Sequence, residues 1–149
     1  MSEEMNVKKN FDTPQTSALA AIARKDAFLQ KLQIFLDAHK TEAWCVAAVD
    51  LEHFKLYNEL YGVEQGNALL DSVASHLLTY ARESDSPVGY WGNDDFFLCL
   101  PDDKSRQQTV VTTLQACVNP NHQDVSFFLA FGLCPVSEHP EADAAALCN

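Results

Sequence analysis

One stretch constrains the fold of this chain more than any other: VGYWGNDDFFLCLP, residues 88–101. Two apolar runs of β-forming residues flank Gly92-Asn93, and a Gly/Asn pair between such runs is a strong local signal for a tight hairpin turn. We therefore predict a β-hairpin here. Asp94 and Asp95 follow the turn directly, so two carboxylates lie at an accessible hairpin tip. Acidic residues also occur in turns because water solvates them well, and the pair alone does not define a site.

The composition limits the class of protein. The chain has 149 residues, 47% of them hydrophobic, which suffices for one compact domain with a substantial core and is too little for two. Its formal net charge of -11 argues against nucleic acid or an anionic membrane as a partner, because those surfaces attract basic proteins. A nucleotide that arrives with Mg²⁺ remains compatible with this charge, since the metal ion attracts carboxylates.

The cysteines and the apolar runs indicate the compartment. Five cysteines occur with no C-x-x-C spacing, and most lie inside apolar runs, as buried free thiols do. We therefore expect a reducing, cytoplasmic compartment for this domain. The longest uninterrupted apolar run, residues 43–49, is far too short to span a membrane, so we expect no direct membrane contact, although a longer parent protein could be membrane-anchored.

The chain divides into a lead-in and one domain. Residues 1–17 are polar, contain Pro14 and show no periodicity, which predicts a linker or disordered lead-in to a domain over residues 18–149. The predicted elements are, in order, a helix from Ala18 (N-cap Thr16 or Ser17) to about His39, a buried strand Trp44–Val49, helices His53–Tyr61 and Gly66–Tyr80, a loop Arg82–Pro87, the hairpin, a helix ending at Asn119, a strand Val125–Phe131 and a final helix Glu141–Asn149 that the chain end truncates. Helices packed on a partly antiparallel sheet give an α/β or α+β sandwich.

A second acidic strand end gives the hairpin carboxylates a candidate role. Asp50 closes the predicted buried strand, and Asp94 stands just beyond the hairpin turn. If the two strands are neighbours, these carboxylates converge. Hard oxygen ligands of this kind suit Mg²⁺, which takes one or two protein carboxylates and keeps its other positions for water and phosphate oxygens. Such a site is typical of phosphoryl transfer.

Residues 50–67, DLEHFKLYNELYGVEQGN, match without gaps the pattern D-x-D-x-F-K-x-x-N-D-x-x-G-H-x-x-G-D, and residues 92–96, GNDDF, stand in the place of a GGDEF signature. On these motifs the chain resembles the GGDEF domains, diguanylate cyclases and their relatives. The resemblance implies a palm like that of adenylate cyclase, with a mostly antiparallel five-stranded sheet flanked by helices. It also implies a homodimer in which each protomer holds one GTP with Mg²⁺ and the pair makes cyclic di-GMP.

The resemblance implies site roles by position. Asp50 and Asp94 would bind the metal ion through their carboxylates, and Leu51 would bind it through its carbonyl. Asp95 takes the place of the signature glutamate that assists the attacking hydroxyl, which makes it the catalytic candidate. Lys55 would face phosphate and Asn58 would read the guanine edge. The full set expected to bind the nucleotide is Phe54, Lys55, Asn58, Asn67, Gly92 and Asn93.

Three of these positions depart from the family pattern. Asn93 replaces a glycine that lets backbone approach phosphate, Asp95 is one methylene shorter than glutamate, and Asn67 replaces an aspartate that accepts hydrogen bonds from guanine. We therefore expect a degenerate GGDEF domain of cyclic di-GMP signalling with little cyclase activity. Its expected role is regulatory: it binds GTP or cyclic di-GMP, or it docks another domain of a larger signalling protein. An active diguanylate cyclase and a structural dimerisation module are the alternatives.

An R-x-x-D pattern, Arg82 to Asp85, precedes the hairpin. Many family members carry R-x-x-D five residues before the signature, where it grips cyclic di-GMP; here six residues intervene. Arginine can bind phosphate or guanine through its planar fork, and aspartate can accept from the base. A solvated surface pair gives the same pattern by chance, so both interpretations stay open.

Overall fold

A computed structural model describes residues 17–118 and 127–148 of the chain. Its elements are α1 (Ala18–Ala21), α2 (Lys25–Ala38), β1 (Trp44–Leu51), α3 (Phe54–Tyr61), α4 (Val63–Ser84), β2 (Val88–Gly92), β3 (Asp95–Pro101), α5 (Lys104–Val118), β4 (Leu129–Pro135), a 3₁₀ turn (Val136–Glu138) and α6 (Ala144–Leu147). The predicted lead-in lies outside the described residues except for Ser17. Ser17 is the N-cap of α1, as predicted, and its hydroxyl accepts from the Ala20 N–H.

The described strands form one antiparallel sheet in the order β2-β3-β1-β4. β1 lies inside the sheet because its continuous apolar run can be buried on both faces, and the predicted hairpin is confirmed as β2 and β3. The α+β fold class is therefore confirmed. The expectation of five strands is wrong for the described residues, which form four, because after β4 the chain enters a 3₁₀ turn and then α6.

Each face of the sheet packs against helices. Side chains alternate along β1, so Ala47 and Val49 point to one face and Val46 to the other. The first face forms the larger core with residues of α4 and α5, among them Leu77 and Leu114. The second face packs against residues of α2 and α6, which are Phe28, Leu32, Phe35, Ala144 and Leu147. The sheet thus carries two separate apolar layers, and its rim near the hairpin tip stays accessible.

The single helix predicted from Ala18 to His39 is wrong, because the chain leaves the helical conformation between α1 and α2. Ile22 is extended, with φ -70° and ψ 144°, and Ala23 forms a parallel bridge with Gly89 in the edge strand β2. The Ala23 carbonyl accepts a hydrogen bond from the Tyr90 N–H at 2.9 Å. Helical spacing could not reveal this break, since Ile22 fits the apolar stripe of a helix and the bridge joins residues 66 positions apart.

Further boundaries differ from the prediction, among them that of the last helix, α6, which begins at Ala144 and not at Glu141. Helix α4 begins at Val63 and continues to Ser84, so Arg82 lies in its last turn and not in a loop. Strand β4 begins at Leu129 and passes through Gly132 to Pro135, because its backbone pairs with β1 along that whole length. Of the predicted strand Val125–Phe131, residues 125 and 126 lie outside the described part.

The cysteines of the described chain are free thiols. Burial raises the pKa of Cys99 to about 12 and the pKa of Cys45 to about 11, so both stay protonated at neutral pH and pack as small apolar groups. Among residues 17–118 and 127–148, no helix combines the length and the apolar character that crossing a bilayer requires.

Gly89 should tolerate no side chain. A Cβ added there would lie 2.7 Å from Cγ of Phe28, which is fully buried between α2 and the sheet. We expect Gly89→Ala to lower the free energy of unfolding by about 1–3 kcal/mol, the usual cost of overpacking a core. Gly132→Ala is the matched control, because a Cβ in β4 at that position meets nothing within 4 Å. Urea unfolding of both variants measures the difference, and equal losses would contradict the packing described here.

Candidate functional site

Three carboxylates meet at one rim of the sheet. Asp50 lies near the end of β1, Asp94 in the hairpin turn and Asp95 at the start of β3, and their oxygens lie within 4.8 Å of one another. The strand register explains this proximity. Val49 pairs with Phe96, so the antiparallel strands bring Asp50 level with Asp95, and the turn places Asp94 beside them.

The Asp94 carboxylate is held in place by backbone. Its Oδ2 accepts a hydrogen bond from the Leu51 N–H at 3.1 Å, which links the turn to the end of β1. Burial raises the pKa of Asp94, and the neighbouring Asp50 charge raises it further, against the opposing effect of the Leu51 N–H. Burial, followed by the charges of Asp94 and Asp50, also raises the pKa of Asp95. The cluster therefore concentrates negative charge, and no described basic side chain forms an ion pair with it.

The donor set fits a hard divalent cation. Carboxylate oxygens that converge from two strand ends are the ligands Mg²⁺ prefers, and Mg²⁺ binding with only one or two carboxylates leaves its other positions for water or phosphate. Burial is the main cause of the raised pKa values of Asp94 and Asp95, and a cation would relieve the mutual repulsion that adds to it. The assignment of Asp50, Asp94 and the Leu51 carbonyl as ligands stays a prediction.

The hairpin tip needs backbone with positive φ, a conformation that glycine and asparagine adopt more readily than most residues. Gly92 has φ of +104° and Asn93 has φ of +52°, a region that asparagine visits more readily than most residues. The Tyr90 hydroxyl donates to the Asn93 carbonyl at 2.8 Å and ties the turn to β2. The sequence analysis missed Tyr90, whose position beside the Gly/Asn turn was its only signal.

The nucleotide-binding residues predicted on the helices lie at the corner between α3 and α4. Lys55 and Asn67 are exposed, whereas Phe54 and Asn58 are half-buried. The corner begins directly after β1, because only Glu52 and His53 separate β1 from α3. The sequence predicted that the helix begins at His53. His53 instead has a left-handed backbone, with φ of +62°, and α3 begins at the next residue, Phe54.

A shallow cleft of about 370 Å³ lies next to the carboxylates, and sequence reasoning did not find it. Its floor is open because small residues occupy the sheet positions there. Ala48 pairs with Gly132, and Asp50 pairs with Ala130. Small side chains in a central strand were its only signal in the sequence. The cleft gives a ligand access to Asp50 and Asp95 along the sheet surface.

The R-x-x-D residues lie apart from this site. Arg82 is in the last turn of α4 and donates to the Thr79 hydroxyl at 3.4 Å, and Asp85 caps the helix in the left-handed region. Both side chains are exposed, and no ion pair joins them. Arg82 follows Asn67 by fifteen residues on one helix, a distance of about 22 Å at 1.5 Å per residue. Any ligand at Arg82 therefore occupies a different place from one at the corner.

Comparison with known proteins identifies similar chains. The family model described as "Diguanylate cyclase, GGDEF domain" matches residues 16–148. The chain is 33% identical over 110 residues to the probable diguanylate cyclase DgcE of Escherichia coli, which covers 70% of this chain. It spans only 10% of the length of that relative.

Solved structures share the fold. The coiled coil and GGDEF domain of DgcB from Caulobacter crescentus, in complex with c-di-GMP, superposes with a TM-score of 0.69 at 18% identity, over 91% of this chain and 76% of that one. The GGDEF domain of YfiN from Pseudomonas aeruginosa superposes with a TM-score of 0.67 at 25% identity, over 87% of this chain and 80% of that one.

Removing one charge from the carboxylate cluster should stabilise the metal-free protein. We expect Asp95→Asn to raise the melting temperature in chelator-containing buffer by about 1–3 °C, because it relieves like-charge repulsion at a largely exposed position. Asp37→Asn, which neutralises an exposed carboxylate on α2, should change it by less than about 1 °C. Thermal unfolding followed by circular dichroism measures both, and a lower melting temperature for Asp95→Asn would contradict the repulsion.

Proposed function

Because the chain belongs to the GGDEF domain family of diguanylate cyclases, we propose that it is a regulatory nucleotide-binding module of cyclic di-GMP signalling with little cyclase activity of its own. The observation that carries this proposal is the convergence of Asp50 and Asp94 at the end of β1, next to altered residues at the reacting and base-reading positions. The proposal rests on the retained metal carboxylates together with the changes at positions 67, 93 and 95.

Retention of nucleotide binding is supported by the carboxylate rim and the adjoining corner. Asp50, Asp94 and the Leu51 carbonyl would hold Mg²⁺, which when bound neutralises the phosphates of the nucleotide. The exposed Lys55 on α3 would add a positive charge for the phosphate chain, and Asn58 on the same helix would face the base. Phe54 and Asn67 would complete the base site from the two sides of the α3/α4 corner.

Loss of efficient cyclase activity is supported by the hairpin tip. The Asn93 side chain stands at a turn position where a glycine would let the backbone approach phosphate more closely. Asp95 would accept the proton of an attacking hydroxyl, but its side chain is one methylene shorter than that of glutamate. A misplacement of about 1 Å can cost about 100-fold in rate. Together these two changes are expected to lower turnover while the metal carboxylates stay in place.

With asparagine at position 67, the site should also be less selective for guanine than it would be with an aspartate there. Asn67 offers one acceptor and one donor group, whereas an aspartate could accept from two N–H groups of guanine. A hydrogen bond to a charged group contributes about 1.5–3 kcal/mol, equivalent to roughly 10- to 100-fold in affinity. This module is therefore expected to bind GTP weakly.

Two other functions remain as alternatives, each with its own observation. An active diguanylate cyclase is favoured by the intact carboxylate pair, and it would require two protomers to face each other. A structural dimerisation module is favoured by the loss of the signature residues. The other partners that we propose are further domains of a larger signalling protein, and the cytoplasm is the compartment where GTP and free thiols are both expected.

A nucleotide titration tests the proposal. We expect calorimetry to detect Mg²⁺-dependent binding of GTP, and we expect the Asp50→Ala/Asp94→Ala variant to lose it, because the metal carboxylates are gone. Asn67→Asp should tighten GTP binding by roughly 10-fold or more. The control Asp37→Ala/Glu138→Ala removes two exposed charges elsewhere and should leave binding unchanged.

The same titration separates the alternatives. Cyclic di-GMP accumulating at an ordinary enzymatic rate with GTP and Mg²⁺ would favour the active cyclase over our proposal. Absence of heat with both GTP and cyclic di-GMP would leave only the structural module. Unchanged GTP affinity in the Asp50→Ala/Asp94→Ala variant would discredit the metal site.

The R-x-x-D pair has its own test. If Arg82 and Asp85 bind cyclic di-GMP, Arg82→Ala should weaken that ligand at least about 10-fold, because a charge-assisted contact is lost. GTP affinity should stay the same, since Arg82 lies at the far end of α4 from Asn67. Arg106→Ala removes another exposed arginine, from α5, and serves as the control. If Arg82→Ala and Arg106→Ala bind cyclic di-GMP equally well, the pair is a solvated surface pair.

A further inference from the structure

Gly66, in the second turn of α4, is packed against a side chain of the neighbouring helix α3. A Cβ added to Gly66 would overlap Oδ1 of Asn58 and would lie 2.9 Å from its Cγ. The ring of Phe54 would be 3.4 Å away on the other side. Gly66 is buried, and among the described glycines it is the one that lies in a helix, where glycine is otherwise unfavourable. Its lack of a side chain therefore serves the carboxamide of Asn58.

The Asn58 carboxamide has one end buried and one end accessible. Its Oδ1 is buried and accepts no hydrogen bond from any described residue, whereas its Nδ2 is not buried and also forms no hydrogen bond within the described chain. Buried polar atoms normally have a partner, so this orphan oxygen needs an explanation. The Asn58 carbonyl oxygen can accept the weak Cα–H donor of Gly66. An N–H₂ group in the same place would put two donors against each other.

We propose that Gly66 is a positioning residue that fixes the orientation of Asn58, with the carbonyl inward and the N–H₂ outward. This inference rests on the proposed nucleotide site, because it concerns the residue predicted to read the base. The space left by the missing Cβ of Gly66 is what lets the carbonyl lie inward. With a side chain at position 66, the carboxamide has to leave the helix-helix contact.

The orientation determines what α3 offers a ligand. An outward N–H₂ is a donor, so the ligand edge that meets Asn58 has to present an acceptor, such as a carbonyl oxygen or a ring nitrogen of a nucleobase. The matching group on α4 is Asn67, which is exposed and can present either its donor or its acceptor. Asn58 therefore requires an acceptor on the part of the base that meets α3, independently of the carboxylates proposed to bind the metal ion.

A double-mutant cycle between positions 58 and 66 tests the contact. We expect Gly66→Ala to lower the melting temperature by several degrees, because the new Cβ displaces Asn58. In the Asn58→Ala background the same substitution should be neutral or raise the melting temperature, since the overlap is gone and alanine favours a helix over glycine. Gln65→Ala, an exposed change in the same turn, is the control and should leave the melting temperature and ligand affinity unchanged.

Ligand binding separates a positioning role from a merely structural one. We expect Gly66→Ala and Asn58→Ala each to weaken Mg²⁺-GTP binding roughly 2- to 10-fold, the loss of one neutral hydrogen bond, while binding of Mg²⁺-tripolyphosphate, which has no base, stays the same. Equal melting-temperature losses from Gly66→Ala in both backgrounds would overturn the contact. Equal weakening of GTP and tripolyphosphate would overturn the positioning role.

The two readouts also distinguish this inference from the proposed function. If the unmodified protein binds none of GTP, tripolyphosphate and cyclic di-GMP, the proposed function fails and the positioning role falls with it. The thermal cycle still reports whether Gly66 accommodates Asn58, because it needs no ligand. If GTP binds and the thermal cycle shows no coupling, the proposed function stands and the positioning role is wrong.

Discussion

Antiparallel pairing of β1 with β3 in one register sets the geometry of the candidate site. Sheet side chains alternate with a period of two, so a slip of one residue would turn Asp50 to the opposite face of the sheet and separate it from the hairpin carboxylates. The register is held by the core, because Val49 and its partner Phe96 are both almost fully buried. The site cannot lose its arrangement without exposing apolar side chains, and the acidic cluster therefore takes its precision from hydrophobic packing.

This dependence also explains how the fold tolerates three close carboxylates. The pKa values of Asp94 and Asp95 are raised, so the folded state binds protons more tightly at these groups than the unfolded chain and is less stable once they ionise. Truncating one fully buried phenylalanine such as Phe28 costs about 3–5 kcal/mol, more than the repulsion at a partly exposed cluster. The free energy of packing in the core therefore exceeds the repulsion among the carboxylates, and a bound cation would remove that repulsion.

Local chemistry explains which parts of the fold could be predicted from sequence. The hairpin and the buried strand β1 were predictable because a Gly/Asn turn and a continuous apolar run act through neighbouring residues. The break between α1 and α2 was not, because it depends on Ala23 meeting Gly89 across the fold. The convergence of Asp50 with Asp94 was predictable only on the condition that their strands are neighbours, which spacing alone could not decide.

Two of the features that sequence reasoning missed depend on the space that a small or absent side chain leaves. The cleft beside Asp50 exists because Ala48 and Gly132 are small, and Asn58 lies inward because Gly66 has no Cβ. Neither the cleft nor the position of Asn58 could be inferred from neighbouring residues alone, since a glycine within a helical pattern usually indicates only a less stable helix. The α3/α4 corner and the carboxylate cluster also depend on different contacts. The first is a contact between two helices and the second a contact between two strands. This difference supports the proposal that changes at the hairpin tip lower turnover while the α3/α4 corner keeps its shape and still binds a nucleotide.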